Sequence, residues 1–172
     1  MADMLSDVHT ALAGWRSASD RDRLLQVVQP GLIGLIDGTI STLAPIFASA
    51  YVAGSRAALL VGLAAALGAA ISMGMSEALS DDGALTGRGG SLQRGLITGA
   101  ATFVGGSLHA LPFLIGDVHR ALTVAYAVVA VELLVIAVVR KRFLRVSLAG
   151  SLVQVTVGGV VVAAVGAAVG HA

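Results

Sequence analysis

The chain reads as an all-α membrane protein with five transmembrane helices per protomer, and three observations predict this. Of its 172 residues 56% are hydrophobic and 12% charged, with a mean hydropathy of +0.90. One small soluble core cannot hide that much apolar surface, so lipid has to solvate it. Five apolar stretches then follow one another, at residues 31–54, 57–79, 95–116, 119–139 and 147–170. Each is long enough to cross ~30 Å of hydrocarbon at ~1.5 Å per residue. The third observation is the placement of the cations. With the N-terminus cytoplasmic, that side carries Arg16, Arg21, Arg23, Arg88, Arg94, Arg140, Lys141, Arg142 and Arg145, while the other carries Arg56 and Arg120. The bias follows the positive-inside rule, and an odd number of spans puts the C-terminus outside.

Residues 1–29 form a cytoplasmic segment and residues 30–172 the membrane domain. Four Asp and three Arg precede Gln29, which fits neither a signal peptide nor a span. Leu5, Val8, Leu12 and Trp15 recur at helical spacing, predicting a short amphipathic helix on the membrane surface. Ser19 and the Asp/Arg run after it supply capping chemistry for a second helical stretch, and Pro30 suits the first turn of the first span. In that span Pro45 removes a backbone hydrogen bond, which permits a kink and frees a carbonyl. Gly34 and Gly38, Gly95 and Gly99, and Gly166 and Gly170 are each four apart. That spacing lets helices approach closely, inside one chain or across a dimer. The run from Arg140 to Arg145 is a topology anchor with headgroup contacts.

Function is carried by the polar residues at membrane depth. Asp37 lies in GLIGLIDGTISTLAPIF and Glu77 ends GAAISMGMSEALS; an acid buried in lipid costs a few kcal/mol and marks an ion, a proton or a partner charge. Counted from the cytoplasmic span ends, Asp37, Met73 and Glu132 each lie roughly 9 to 11 Å deep. Three helices thus offer a ligand in one layer. Glu77 is one turn from Met73 on the same face, nearer the cytoplasm, and Ser41 is one turn from Asp37. The chain has no cysteine, which leaves carboxylate, imidazole and thioether as ligands.

Each site residue has a plainer reading. Asp37 can pair with a helix N-terminus or a hydroxyl of another helix, and Met73 can simply pack, as Met75 does on another face. Glu132 can snorkel or pair with Arg140. His109 is either a proton or metal relay on the exit side or a histidine bonded to a backbone carbonyl or to Ser107. Asp81 and Asp82, in DDGALTGRGG, are either a solvated turn or an ion funnel beside Glu77.

The motifs GLIGLIDGTISTLAP and GAAISMGMSEALS in consecutive spans resemble the vacuolar iron transporter family, with its Asp-Gly in the first helix and Ser-Met followed by Glu in the second. VQPGLIGLIDGTISTLAPIFA, DDGALTGRGG, LQRGLITG and GGSLHALPFLI are most similar to the membrane domain of bacterial membrane-bound ferritin proteins. The resemblance covers about residues 27–170. It implies a homodimer of five-helix protomers that exports cytosolic Fe2+, with Mn2+ as a second cargo, by proton antiport. Asp37 and Met73 would be pathway ligands and Glu77 the entrance ligand. Two departures stand out. The Glu-rich metal-binding domain of plant and fungal members is replaced by DDGALTGRGGSLQR, and the 29 residues before the first span lack the Glu-x-x-His pattern of a di-iron bundle.

A methionine ligand favours Fe2+ over Mg2+ or Ca2+, and the metal is cargo, with no prosthetic group expected. The alternative is a non-transporting scaffold that docks a cytoplasmic partner through its N-terminal helix. No GxSxG, HExxH or phosphate loop argues for an enzyme, and a net charge of +1 gives no reason to invoke nucleic acid. One Lys beside ten Arg, with abundant Ala, Gly and Val, fits a GC-rich bacterium and hence its inner membrane.

Overall fold

The computed structural model describes residues 20–84 and 86–170, all of it helix, turn or loop. The amphipathic helix expected around Leu5 to Trp15 therefore lies outside the described residues. A turn of α-helix at Asp20–Arg23 passes into a π-helical turn at Leu24–Val28, where the N–H of Gln29 reaches back to the carbonyl of Leu24. Pro30 explains the extra residue. It has no N–H for the carbonyl of Gln26, so the ladder is interrupted just where the first long helix starts.

Five long helices follow: α1 (Gln29–Ser41), α2 (Leu43–Ser80), α3 (Ser91–Leu108), α4 (Val118–Leu144) and α5 (Leu148–Gly170). Three stretches are long and apolar enough to cross a membrane, Arg21–Ser80, Val118–Leu144 and Leu148–Gly170. The first has 60 residues, about 90 Å if straight, and Gly54 is where it turns back. There φ is 80° and ψ −172°, a region in which only glycine is at ease. Thr42, between α1 and α2, is a softer break. It sits three residues before Pro45, whose missing N–H leaves the carbonyl of Ser41 without its helical donor.

The predicted third stretch, 95–116, is not one helix. α3 stops at Leu108, and Leu111–Leu114 is a 3-10 turn. The inward face of α3 carries Arg94, Thr98 and Thr102, all buried, so its polarity sets it apart from the three spanning stretches.

Close approaches fix the relative directions. α1 runs parallel to α3: a Cβ on Gly34 or Gly38 would collide with the backbone of Thr98 or Thr102. The limb 55–80 runs antiparallel to α3, with Gly62 near Ala110 and Gly74 near Gly95 and Gly99. Limb 43–53 is parallel to α5, where Gly166 meets Ala44 and Gly170 meets Ala48. α4 is antiparallel to α5, with Gly159 near Leu133 and Arg140 bonded to Gln154. All three glycine pairs expected to be packing sites are used within the chain. Direction therefore alternates through the five segments, and the cations from Arg21 to Arg23, Arg88, Arg94 and Arg140 to Arg145 gather at one end. Arg56 and Arg120 mark the other.

The main apolar core lies toward that second end, around Leu43, Ile46, Phe47, Phe113 and Leu122, and a smaller one packs Leu32 against Leu133, Ile136 and Val155. The outer surface is studded with exposed Leu60, Leu67, Ile71, Met75, Val160 and Val169, the pattern of helices that meet lipid. Met75, expected to pack, is among them: the register that turns it away from Met73 carries it to the outer surface.

Gly54 and Gly68 both have open space where a Cβ would go, yet only Gly54 has positive φ. Gly54→Ala should cost about 1–3 kcal/mol through backbone strain, whereas Gly68→Ala should be neutral or gain up to ~1 kcal/mol from helix propensity. Thermal unfolding of both variants in detergent checks the contrast.

Candidate metal groove and the polar clusters around it

Asp37 is placed mid-helix on α1, half-buried, at the floor of a surface groove of about 420 Å³ lined by Ile33, Ile36, Asp37, Ile40, Ser41 and Met73. The register explains the lining, because Ile33, Asp37 and Ser41 or Ile36 and Ile40 are one turn apart on the same side of α1. Met73 comes across from the second limb of α2. The groove thus brings together two of the three ligands the sequence put in one layer, the Asp37 carboxylate and the Met73 thioether, with the Ser41 hydroxyl one turn along α1. Among the described residues no hydrogen bond or ion pair engages Asp37. Its carboxylate is presented to whatever enters the groove.

No group of three or more His, Asp or Glu side chains converges among the described residues. The groove supplies one charged ligand and two neutral ones, so a divalent ion there would keep water in its shell. Such a site holds weakly, which suits passage better than storage.

Glu132 does not join this layer. It is on α4, 5% exposed, and its Oε2 lies 2.9 Å from Nδ1 of His109. The partner weighed for it in the sequence, Arg140, bonds to Gln154 instead. His109 likewise does not pair with Ser107, whose hydroxyl is buried without a partner. Its Nε2 meets Oγ1 of Thr42 at 2.8 Å, and the Thr42 hydroxyl donates to the carbonyl of Gly38, also at 2.8 Å. The physical reason is the stop of α3 at Leu108. With His109 at the helix end, its ring turns into the space between Thr42 and α4.

Glu77 sits at the end of α2 and is claimed by two guanidinium groups. Its Oε1 accepts from Nη2 of Arg88 at 2.7 Å and from Nε of Arg94 at 2.8 Å. Arg94, on the first turn of α3, has no exposed side-chain surface. Its Nη1 donates to the carbonyls of Gly89 and Arg88 and its Nη2 to that of Asp81, at 2.7, 3.2 and 2.6 Å. A buried cation satisfied this way holds the entire 81–90 loop against the end of the bundle.

Asp81 and Asp82 serve that loop. Asp81 accepts from the Gly83 N–H and from the Thr86 hydroxyl, at 2.8 and 2.6 Å, and Asp82 from the Ala84 N–H at 2.9 Å. These are the bonds of Asx turns. The Thr86 hydroxyl, then the Gly83 N–H, and more weakly Arg94 and Arg88 hold the Asp81 carboxyl below the usual carboxylate range.

Sequence reasoning treated Arg94 only as a topology marker and passed over Thr42. A signal for Arg94 existed: opposite charges at the facing ends of two consecutive helices, Glu77 and Arg94, joined by a glycine-rich turn. Thr42 had none, because a threonine beside a proline is unremarkable until the fold sets a histidine opposite it. Compared with protein-family models, curated proteins and solved structures, the chain finds no match.

Two tests bear on the loop. Removing the buried partner in Arg94→Met should cost about 3–5 kcal/mol, because it leaves Glu77 with Arg88 alone and strands three loop carbonyls. Arg88→Met removes a partly exposed partner and should cost no more than about 1 kcal/mol; unfolding in detergent distinguishes them. A carboxyl whose folded pKa is lowered stabilises the fold above its unfolded pKa, and that contribution fades as pH falls through the folded value. In Thr86→Val the Asp81 carboxyl should therefore titrate at higher pH than in the wild type, as read by carboxyl 13C shifts.

Proposed function

We propose that the chain is a membrane transporter that exports a divalent metal, Fe2+ with Mn2+ as a second cargo, from the cytosol in exchange for protons. The observation that carries the reading is the groove: an intramembrane carboxylate with no partner among the described residues, facing a thioether from the second limb of α2 and a hydroxyl one turn along its own helix. Buried acids without partners are costly and are kept for function. Asp37 binds the partly hydrated cation, Met73 supplies a soft ligand that disfavours Mg2+ and Ca2+, and Ser41 or water completes the shell.

In this reading the five alternating segments are five spans, with the cation-rich end in the cytoplasm of a bacterial inner membrane. What supports the orientation is the gathering of Arg21, Arg23, Arg142 and Arg145 around one groove of about 640 Å³ at that end, where anionic headgroups would meet them. The protomer works in a homodimer, as the resemblance to the vacuolar iron transporter family implies. Glu77 is the entrance residue, and Arg88, the more exposed of its two partners, gives way when a cation arrives. Arg94 stays, so entrance and loop remain coupled. The scaffold alternative depends on the segment before Ser19, which lies outside the described residues.

Reconstituted in vesicles holding an internal pH dye, the wild type should move Fe2+ against a proton flow. Asp37→Asn should reduce the flux by at least about tenfold and Met73→Leu by a smaller factor, since first-sphere ligands matter at least as much as the outer contacts whose loss costs 10–100-fold. Full flux in Asp37→Asn would remove the groove as the pathway.

A further inference from the structure

Exchange of a metal for protons needs a group that gives up a proton when the metal binds, and one stands apart from the groove. His109 has no exposed surface, and Glu132 is 95% buried with its Oε1 lacking any partner among the described residues. The hydrogen-bond directions settle how many protons the pair holds. Thr42 has a single hydroxyl hydrogen and spends it on the carbonyl of Gly38, so its oxygen faces the ring as an acceptor and Nε2 carries a hydrogen. The 2.9 Å contact between Nδ1 and Glu132 Oε2 then requires one more proton between them. It sits as imidazolium against carboxylate or as imidazole against carboxylic acid, two forms of the same neutral pair. Without that proton the ring keeps its one hydrogen on Nδ1 toward Glu132, the Thr42 hydroxyl turns from Gly38 to donate to Nε2, and a net negative charge lies in an apolar core.

We propose that the His109–Glu132 pair, separate from the Asp37 groove, is the proton-carrying site of the exchanger; this rests on the metal-transport reading above. The geometry is that of the proton-loaded form. One step reads: a divalent cation enters the groove, the shared proton leaves the pair to water, and the pair passes from neutral to singly negative. That negative charge offsets half of the charge the cation brings. The reverse step takes a proton and expels the cation.

The route between the sites is short and mechanical. Both supports of the ring lie at helix breaks, His109 where α3 ends and Thr42 between α1 and α2. Gly38, which receives the Thr42 hydroxyl, is the residue after Asp37. It is packed against Thr102 and Gly106 with no room for a Cβ. When the pair gives up its proton and the Thr42 hydroxyl turns to Nε2, the carbonyl of Gly38 loses that donor, beside the metal carboxylate.

Other titratable groups on the surrounding elements are accounted for. On α1 and α2, Asp37 faces the groove, Tyr51 bonds to Tyr126 of α4 through their hydroxyls at 2.9 Å, Arg56 is exposed and Glu77 is held by α3's Arg94. On α4, Asp117 caps its own helix, His119, Arg120, Lys141 and Arg142 are exposed and Arg140 bonds to Gln154. The residues 148–170 of α5 include no titratable side chain.

The test counts protons. Purified protein in weakly buffered detergent is titrated with Mn2+ while a dye follows proton release, and the same proteins in vesicles give protons moved per metal. Glu132→Gln and His109→Gln, both close in shape, should bind Mn2+ yet release about one proton fewer per chain than the wild type, and in vesicles the ratio should fall equally. Either variant reads the quantity if the other does not fold. Unchanged release and ratio overturn the proton assignment and leave metal transport standing. Loss of Mn2+ binding in the variants also overturns it, because the pair would then belong to the metal site. A wild type that neither binds nor moves Mn2+ overturns both readings.

Discussion

A guanidinium with no exposed surface must be answered donor by donor, and the cation-rich end of this bundle is organised around doing so for Arg94. Glu77 supplies the counter-charge from the end of α2, and the backbone carbonyls of Asp81, Arg88 and Gly89 accept three more of the guanidinium's five N–H donors. A buried ion pair adds little net stability over an apolar pair of the same shape, but it tolerates few alternative geometries. Gly83 and Gly89, both at positive φ, let the chain bend closely enough to present those carbonyls.

With α2 and α3 clamped there, the rest of the assembly follows from small residues and threonines. α3 offers Gly95, Gly99, Gly105 and Gly106 to its neighbours, so backbones meet where side chains would otherwise keep helices apart. Its threonines close their own hydrogen bonds on the way: Thr98 donates to the carbonyl of Pro30 and Thr102 to that of Thr98. Pro30 thus ends the irregular π turn and also anchors α1 to α3. The seam holds α1 so firmly that the freedom left to it lies at Thr42, where the helix breaks ahead of Pro45.

That break has the two chemically informative regions on either side. Toward the cation-rich end α1 presents Asp37 to the groove with Met73; at the break itself Thr42 reaches the buried His109 and, through it, Glu132. The two acids are thus in different surroundings. Asp37 is half-buried in an open groove and Glu132 is enclosed. In the exchange proposed above, a cation with its water approaches the first and a proton is taken up and given off at the second, so the two do not compete for the same ligand.

Much of the architecture was legible in the sequence because it rests on local facts. Apolar run lengths located α4 and α5 within a few residues, the glycine spacing marked surfaces that do meet other helices, and the Asp37, Ser41 and Met73 set follows from helical register plus depth. The failures share one cause. The end of α3 at Leu108, the answer to Arg94 and the partner of Glu132 depend on residues 17 to 67 positions away, and polar side chains in an apolar bundle choose partners by proximity in space. The sequence by itself determined that acids would lie within long apolar stretches and on which helices. Only the tertiary structure decided that one of them faces an open groove, one is taken by arginines and one is locked to a histidine. Hydrogen bonding inside a low-dielectric core is settled by which groups packing brings within 3 Å.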